Sequence, residues 1–313
     1  MQRTYVTQTD IATMEKLTEL ITPSLLTGLV DAIIPYSPTD QIDFSTTPSK
    51  LLGGDTRLPP SVGIPAWEFL VALSKLDSSE IPKINLLAFL PRPSEVDFPK
   101  QALGMQLLLD QAPRRLCKGA DRRWIKGLFD GVSIAFAKSL DSLPEGESPY
   151  SWERWERTGT KFGYWVLART WFVTPFVHSE DFDLQKRAVE FTDQTRKKVE
   201  QITGTMDPHR KKRDEILSDF YAFPRVVREG PPKDVTTVEG YAYWMCMVMD
   251  VHFPIINRFK RYPYANLWCG RQDTDEELEW MEKTGGFGRV DEQVAERVRK
   301  DIEMGVWTPL GLK

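Results

Sequence analysis

The sequence predicts an all-α protein of antiparallel helix pairs, and three observations carry that prediction. From residue 98 onward, apolar residues recur at helical spacing in one segment after another. Helix-start signals separate the segments: Thr236 with Glu239 and Thr274 with Glu277 read as capping boxes, which satisfy orphan first-turn N–H groups. No stretch longer than five residues alternates apolar and polar like a half-buried strand. Helices joined by short connections pack as bundles or helical arrays, although no 34-residue repeat is visible in the sequence.

Taken in order, the first helix is expected over 10–34. Asp10 can cap it, Ile11, Met14, Leu17, Leu20 and Ile21 form its apolar stripe, and Pro23 allows a kink. Residues 35–63 are rich in Pro, Ser, Thr and Gly and read as a long irregular loop, either a lid or a covering strap. A short helix follows over 65–76, with Pro65 in the first turn, where a missing N–H costs nothing. "FLPRPSEVDFP" is a second proline-punctuated connection. Helical spacing then predicts helices over 99–112, 121–140, 155–174, 181–203, 207–222, 236–260, 274–283 and 291–304. The first of these should stop near Ala112, because the residue before Pro113 resists the α conformation. Asp207 before Pro208 reads as a further start signal.

Composition narrows the function classes. A net charge of −4 argues against non-specific binding to nucleic acid or an anionic membrane. No apolar stretch reaches the roughly 18 residues a spanning helix needs, and the polar start "MQRTYVTQTD" lacks the apolar core of a signal peptide. Cys117, Cys246 and Cys269 are too widely spaced for a disulfide framework or a Cys-x-x-Cys metal pair, so a cytoplasmic setting is expected. Nucleotide loops and the nucleophile elbow are missing: there is no Gly-x-Gly-x-x-Gly, no Gly-Lys-Ser/Thr and no Gly-x-Ser-x-Gly. His178, His209 and His252 lie far apart in the chain, so no metal site is expected. The basic run "HRKKRD" at 209–214 is followed by acids and reads as a solvated helix face. Ten tryptophans must be buried or must line something.

Three polar constellations interrupt the apolar helices. In "LLLDQAPRRL", Asp110 is expected in a last helical turn, where the helix dipole disfavours an anion. It then needs a partner, with Arg114 and Arg115 adjacent and Arg261 or Arg271 more distant; it is either a structural ion pair or a substrate-facing acid. In "WFVTPFVHSEDFDLQ", Asp181 can cap the following helix and Glu180 lies near its positive end. Capping does not explain His178, which ends an aromatic helix that includes Trp171 and is the natural acid or base. In "NRFKRYPYANLWCGRQDTDEE", Arg258, Lys260, Arg261 and Arg271 interleave with Phe259, Tyr262, Tyr264 and Trp268. Such a mixture either holds an anionic or conjugated ligand or is a packed helix corner.

Together these stretches resemble the family catalogued as domain of unknown function 924. Its members read roughly Leu-Asp-Gln-Phe-Pro-Arg-Asn, then Pro-Phe-x-His-Ser-Glu-Asp with a following Gln, then Phe-Gly-Arg-Phe-Pro-His-Arg-Asn with a following Gly-Arg and Thr-x-Glu-Glu. The first set is matched by Leu109, Asp110, Gln111, Pro113 and Arg114, and the second by Pro175, Phe176, His178, Ser179, Glu180, Asp181 and Gln185. The third is matched by Phe259, Arg261, Tyr262, Pro263, Asn266, Gly270, Arg271, Thr274, Glu276 and Glu277. The resemblance covers about 98–288 and implies tetratricopeptide-like helix pairs but no reaction. Four departures, Ala112, Arg115, Tyr264 and Ala265, imply a reshaped pocket. The chain is accordingly expected to comprise a loop-rich extension over 1–97, a family-like helical core over 98–290 and a C-terminal helix and tail over 291–313, forming one compact domain.

Two function classes follow. The first is a cofactor-independent enzyme acting on a small, largely apolar molecule, by cyclisation, cycloaddition or acid–base isomerisation, as in a tailoring step of secondary metabolism. Its catalytic candidates are His178, Asp110 and Glu180. Its substrate-binding candidates are Gln111, Arg114, Trp171, Arg261, Tyr262, Tyr264, Asn266, Trp268 and Arg271. The second class is a helical scaffold that holds a peptide or protein partner.

Overall fold

A computed structural model describes residues 15–52, 57–76, 84–305 and 308–311. Every regular element among them is helical and none is a strand, so the protein is an all-α array. No helix among the described residues is long and apolar enough to cross a membrane. The chain divides into two compact units. The first takes Met1–Pro35, Arg57–Arg154 and Trp307–Lys313, the second Tyr36–Thr56 and Trp155–Val306. Segment 98–290 therefore contributes to both.

In the first unit, Asp10 lies outside the described residues, and the expected 10–34 helix is two pieces. Residues 15–20 are helical, and a second helix, Pro23–Ile33, begins after a break. Pro23 biases Thr22 to extended backbone (φ −108°, ψ 150°), and Thr22 becomes an N-cap whose side chain accepts from Leu25 N–H at 3.1 Å. Pro23–Ile33 runs antiparallel to helix Phe98–Leu116: Asp31 pairs with Lys100 at 2.8 Å, while Leu26 lies against Gly104. A Cβ on Gly104 would strike the Leu26 carbonyl, so glycine permits this close approach.

Helix Phe98–Leu116 corrects the expected stop at Ala112, because it continues through Pro113. Every residue from Gln101 to Pro113 is buried, and that packing outweighs the lost N–H and the steric preference of a proline. Asp110 is therefore a mid-helix residue. Pro65 likewise lies inside a helix, Pro60–Leu73, whose first position belongs to Pro60. The 121–140 prediction becomes a 3₁₀ turn at Gly119–Arg122, a π turn at Ile125–Phe129 and helix Asp130–Asp141.

The part of the 35–63 stretch that falls in the second unit is only partly irregular, since it carries helix Thr47–Leu52. Its buried Phe44 lies 5.3 Å from the Tyr241 ring and packs over Gly163, so this part of the stretch is a strap held by its own aromatic. The 155–174 prediction is interrupted: Gly159 turns left-handed (φ 78°), and helices Phe162–Phe172 and Thr174–His178 follow. Helix Phe182–Thr203 starts at Asp181, whose carboxylate accepts from Asp183 N–H at 2.9 Å and Leu184 N–H at 3.0 Å.

Phe182–Thr203 packs antiparallel on helix Val238–Asp250, with Thr192 bonded to Asp250 and Thr205 to Tyr243. The expected 236–260 helix breaks after Asp250 and resumes as Phe253–Phe259 around Pro254. Its cap is Thr237, bonded to Gly240 N–H at 3.2 Å, rather than a Thr236 box. The 207–222 helix does not form. Asp207 is drawn to Arg196 at 2.6 Å, leaving short turns at Arg210–Lys212 and Arg213–Ile216 and a helix at Ala222–Glu229. The Thr274–Glu277 capping box is present at the start of Asp275–Lys283, and Glu292–Glu303 closes the unit.

Candidate functional site

The second unit gathers its polar motifs around the end of helix Thr174–His178. Pro175 at the helix start and extended backbone at Ser179 (φ −68°, ψ 144°) confine the helix to five residues and leave His178 at its C-terminus, half-buried. Opposite it stands His252, 5% exposed, at the break between Val238–Asp250 and Phe253–Phe259. The two imidazole centroids are 6.4 Å apart at 76°. His252 Nδ1 lies 2.9 Å from Val248 O and 3.2 Å from Met249 O. Carbonyls only accept, so this bonding assigns the neutral ring's hydrogen to Nδ1 and its lone pair to Nε2.

Aromatic rings surround the pair. Phe223 lies 3.9 Å from the His252 ring, Tyr262 meets it edge-on at 6.2 Å, and the half-buried Tyr264 and Phe287 pack beside Phe223. Trp171, Asn266 and Trp268 are buried within the same unit. Trp268 Nε1 donates to Tyr264 O at 3.0 Å, and Asn266 Nδ2 to Asp273 Oδ1 at 2.7 Å, so both fix the 263–273 loop.

The arginines of "NRFKRYPYANLWCGR" are each committed to a carboxylate. Arg271 grips Glu180 with both terminal nitrogens, at 2.7 and 2.9 Å, and Glu180 also accepts the Tyr262 backbone N–H at 3.0 Å. Arg261 grips Glu277 at 2.6 and 2.5 Å, and Arg258 pairs with Glu276. Burial opposes the charge on Glu277. The Arg261 bonds, the Thr274 N–H and the Asn266 amide outweigh it and hold the carboxyl down to about 2. The Glu180 bonds likewise overcome burial to raise Arg271 above its ordinary value.

The first motif, "LLLDQAPRRL", lies in the first unit. Asp110 is fully buried, with Gln111 Nε2 at 2.6 Å from Oδ2 and Arg114 at 3.3 Å from Oδ1. Arg114 also bonds Asp110 O at 2.8 Å and Asp130 at 2.7 Å, and Lys126 completes the group at 2.9 Å from Asp130. The partner expected for Asp110 is thus Arg114. A cleft of about 510 Å³ in this unit is lined by Leu128, Val132 and Phe136 beside the small Gly127, Gly131 and Ala135, and no titratable side chain lines it.

The sequence offers neither His252 nor Phe223 as a candidate site residue, and it offers Gln185 only as a match to the second motif. His252 follows an apolar helix as His178 does, which was a usable local signal. Its proximity to His178 is not visible in the chain order. Among the described residues, no group of three or more His, Cys, Asp or Glu is placed to hold a metal ion.

Residues 92–285 match a family model described as "Bacterial protein of unknown function (DUF924)". That range contains all three motifs and His252, and the preceding N-terminal segment lies outside it. No curated protein and no solved structure matches the chain.

Proposed function

The chain belongs to the DUF924 family, whose description assigns no reaction, and from the chain's own residues we propose a cofactor-independent enzyme that moves protons on a small, largely apolar molecule. The observation that carries this reading is the His178–His252 pair, 6.4 Å between ring centroids in an aromatic setting. One neutral imidazole takes a proton from the substrate, and the other, as imidazolium, returns one at a second position. The proton count balances over the cycle, and the product is an isomer of the substrate, open-chain or cyclised.

Uncharged substrates suit the site better than anions. Arg258, Arg261 and Arg271 are already neutralised by Glu276, Glu277 and Glu180, while Phe223, Tyr264 and Phe287 present half-buried rings. In this reading Glu180 ties the His178 turn to the 261–271 loop, and Asp110 serves the Arg114–Asp130 network of the first unit.

The test is an untargeted metabolite comparison. The protein is incubated with extract from a strain lacking its gene. The wild type is expected to change at least one apolar metabolite. His178→Ala and His252→Gln should each slow that change about 100-fold or more, with melting temperatures close to wild type. An unchanged metabolite profile together with a captured protein partner would overturn the enzyme reading in favour of a helical scaffold.

A further inference from the structure

Tyr262 bonds a residue on each side of His178, the Val177 carbonyl before it and the Glu180 carboxylate after it. Its phenol O–H donates to the carbonyl of Val177, the residue before His178. Its backbone N–H donates to Glu180 Oε1 at 3.0 Å, two residues after His178. Gln185 braces the same turn, with Nε2 2.7 Å from Val177 O, 2.7 Å from Ser179 O and 2.9 Å from the Tyr262 oxygen. With the phenol oxygen accepting from Gln185, its own hydrogen is directed at Val177. The Tyr262 ring also meets His252, at 6.2 Å and 85°. One residue, 1% exposed, therefore contacts the supports of one histidine and the ring of the other.

We propose that Tyr262 is the positioning residue of the histidine pair: it fixes the separation and mutual orientation of the His178 and His252 rings. This rests on the proton-transfer reading, and its first test needs no turnover. Tyr262 is buried and acts through the groups it holds. Removing its hydroxyl leaves Gln185 on Val177 O, so the turn keeps one donor and the fold has no buried carbonyl newly orphaned.

The chain has three histidines, so an imidazole NMR spectrum of the full chain labelled with ¹⁵N-histidine reports on three side chains, assigned by single His→Gln variants. In Tyr262→Phe the signals of His178 and His252 should both shift while those of His209 stay in place. A shift at only one of the pair, an equal shift at all three, or no shift overturns the proposal. Glu180→Gln weakens the other half of the clamp and should move His178, with His209 again fixed; an unmoved His178 there also counts against it. With a substrate in hand, Tyr262→Phe should lower kcat by up to about a hundredfold with KM little changed. If His178→Ala leaves every metabolite conversion intact, the proton-transfer reading fails, while the spectrum still decides whether Tyr262 orients the rings.

Discussion

Lys260 adopts the left-handed conformation (φ 61°, ψ 6°) that ends helix Phe253–Phe259, and among the described residues it is the non-glycine that does so. The helix stops there in a left-handed cap, with the Lys260 N–H bonded to Ile256 O at 3.0 Å. An L side chain in that region costs about 1 kcal/mol relative to glycine. Lys260→Gly should therefore raise the unfolding free energy by about that amount in urea titration; a loss of stability would show that the Lys260 contact with Asn257 O, at 2.7 Å, outweighs the strain. Glu277 gives a pH prediction. Its folded value, about 2, lies below the ordinary 4.5, so its contribution is present above the ordinary value and is lost as pH falls through the interval toward about 2. Urea midpoints should decline across that interval, and Glu277→Gln should flatten the decline. An unchanged acid limb in the variant would assign the loss to other carboxylates.

Between helices, single residues decide how closely two axes approach and what crosses between them. Gly104 lets Pro23–Ile33 lie against Phe98–Leu116. Gly104→Ala should cost about 1–3 kcal/mol through forced separation, read as a lower thermal midpoint; an unchanged midpoint would mean the pair separates freely. Arg196, 1% exposed, bonds Asp207 at 2.6 Å and Asp250 at 2.8 Å and joins Phe182–Thr203 to Val238–Asp250. Burial, the largest influence, still pushes Asp250 above its ordinary range. Arg196→Met should destabilise by about 3–5 kcal/mol, because buried Asp207 loses its ion-pair partner and buried Asp250 keeps only Arg213, at 3.4 Å; equal stability in urea would sink that assignment. Legibility at this scale followed the range of the forces. Asp181 and the Thr274–Glu277 box were readable because a cap bonds within three residues. The failed 207–222 helix was not, because Asp207 is claimed by Arg196 from another helix. Pro113 misled for the same reason: its local preference was clear, and tertiary burial outweighed it.

For the whole molecule, burial sorts the three thiols. Cys117 and Cys246 are buried, and desolvation pushes them up to about 12 and about 11; Cys269 is half-buried. A disulfide-exchange reagent should modify Cys269 readily in the native protein and the other two only in denaturant. Rapid native modification of all three would show that both units open far more often than their packing implies. The candidate site was legible in part. His178, Glu180, Tyr262 and Arg271 were singled out by residue type and spacing, yet their bonding was not. Arg258, Arg261 and Arg271, read as possible ligand holders, are each paired with a glutamate, because acids from other turns were folded onto them.

Amino-acid order alone determined the helical class, the positions of the strongest caps and the three motifs that mark the family. All of these depend on periodicity and on hydrogen bonds that close within one turn. Only the tertiary structure decided that His252 stands beside His178, that Tyr262 bonds the Val177 carbonyl and the Glu180 carboxylate on either side of His178, and that Arg114 reaches Asp130. Those pairings arise when buried helix faces pack, and packing couples residues whose separation along the chain carries no information about their separation in space.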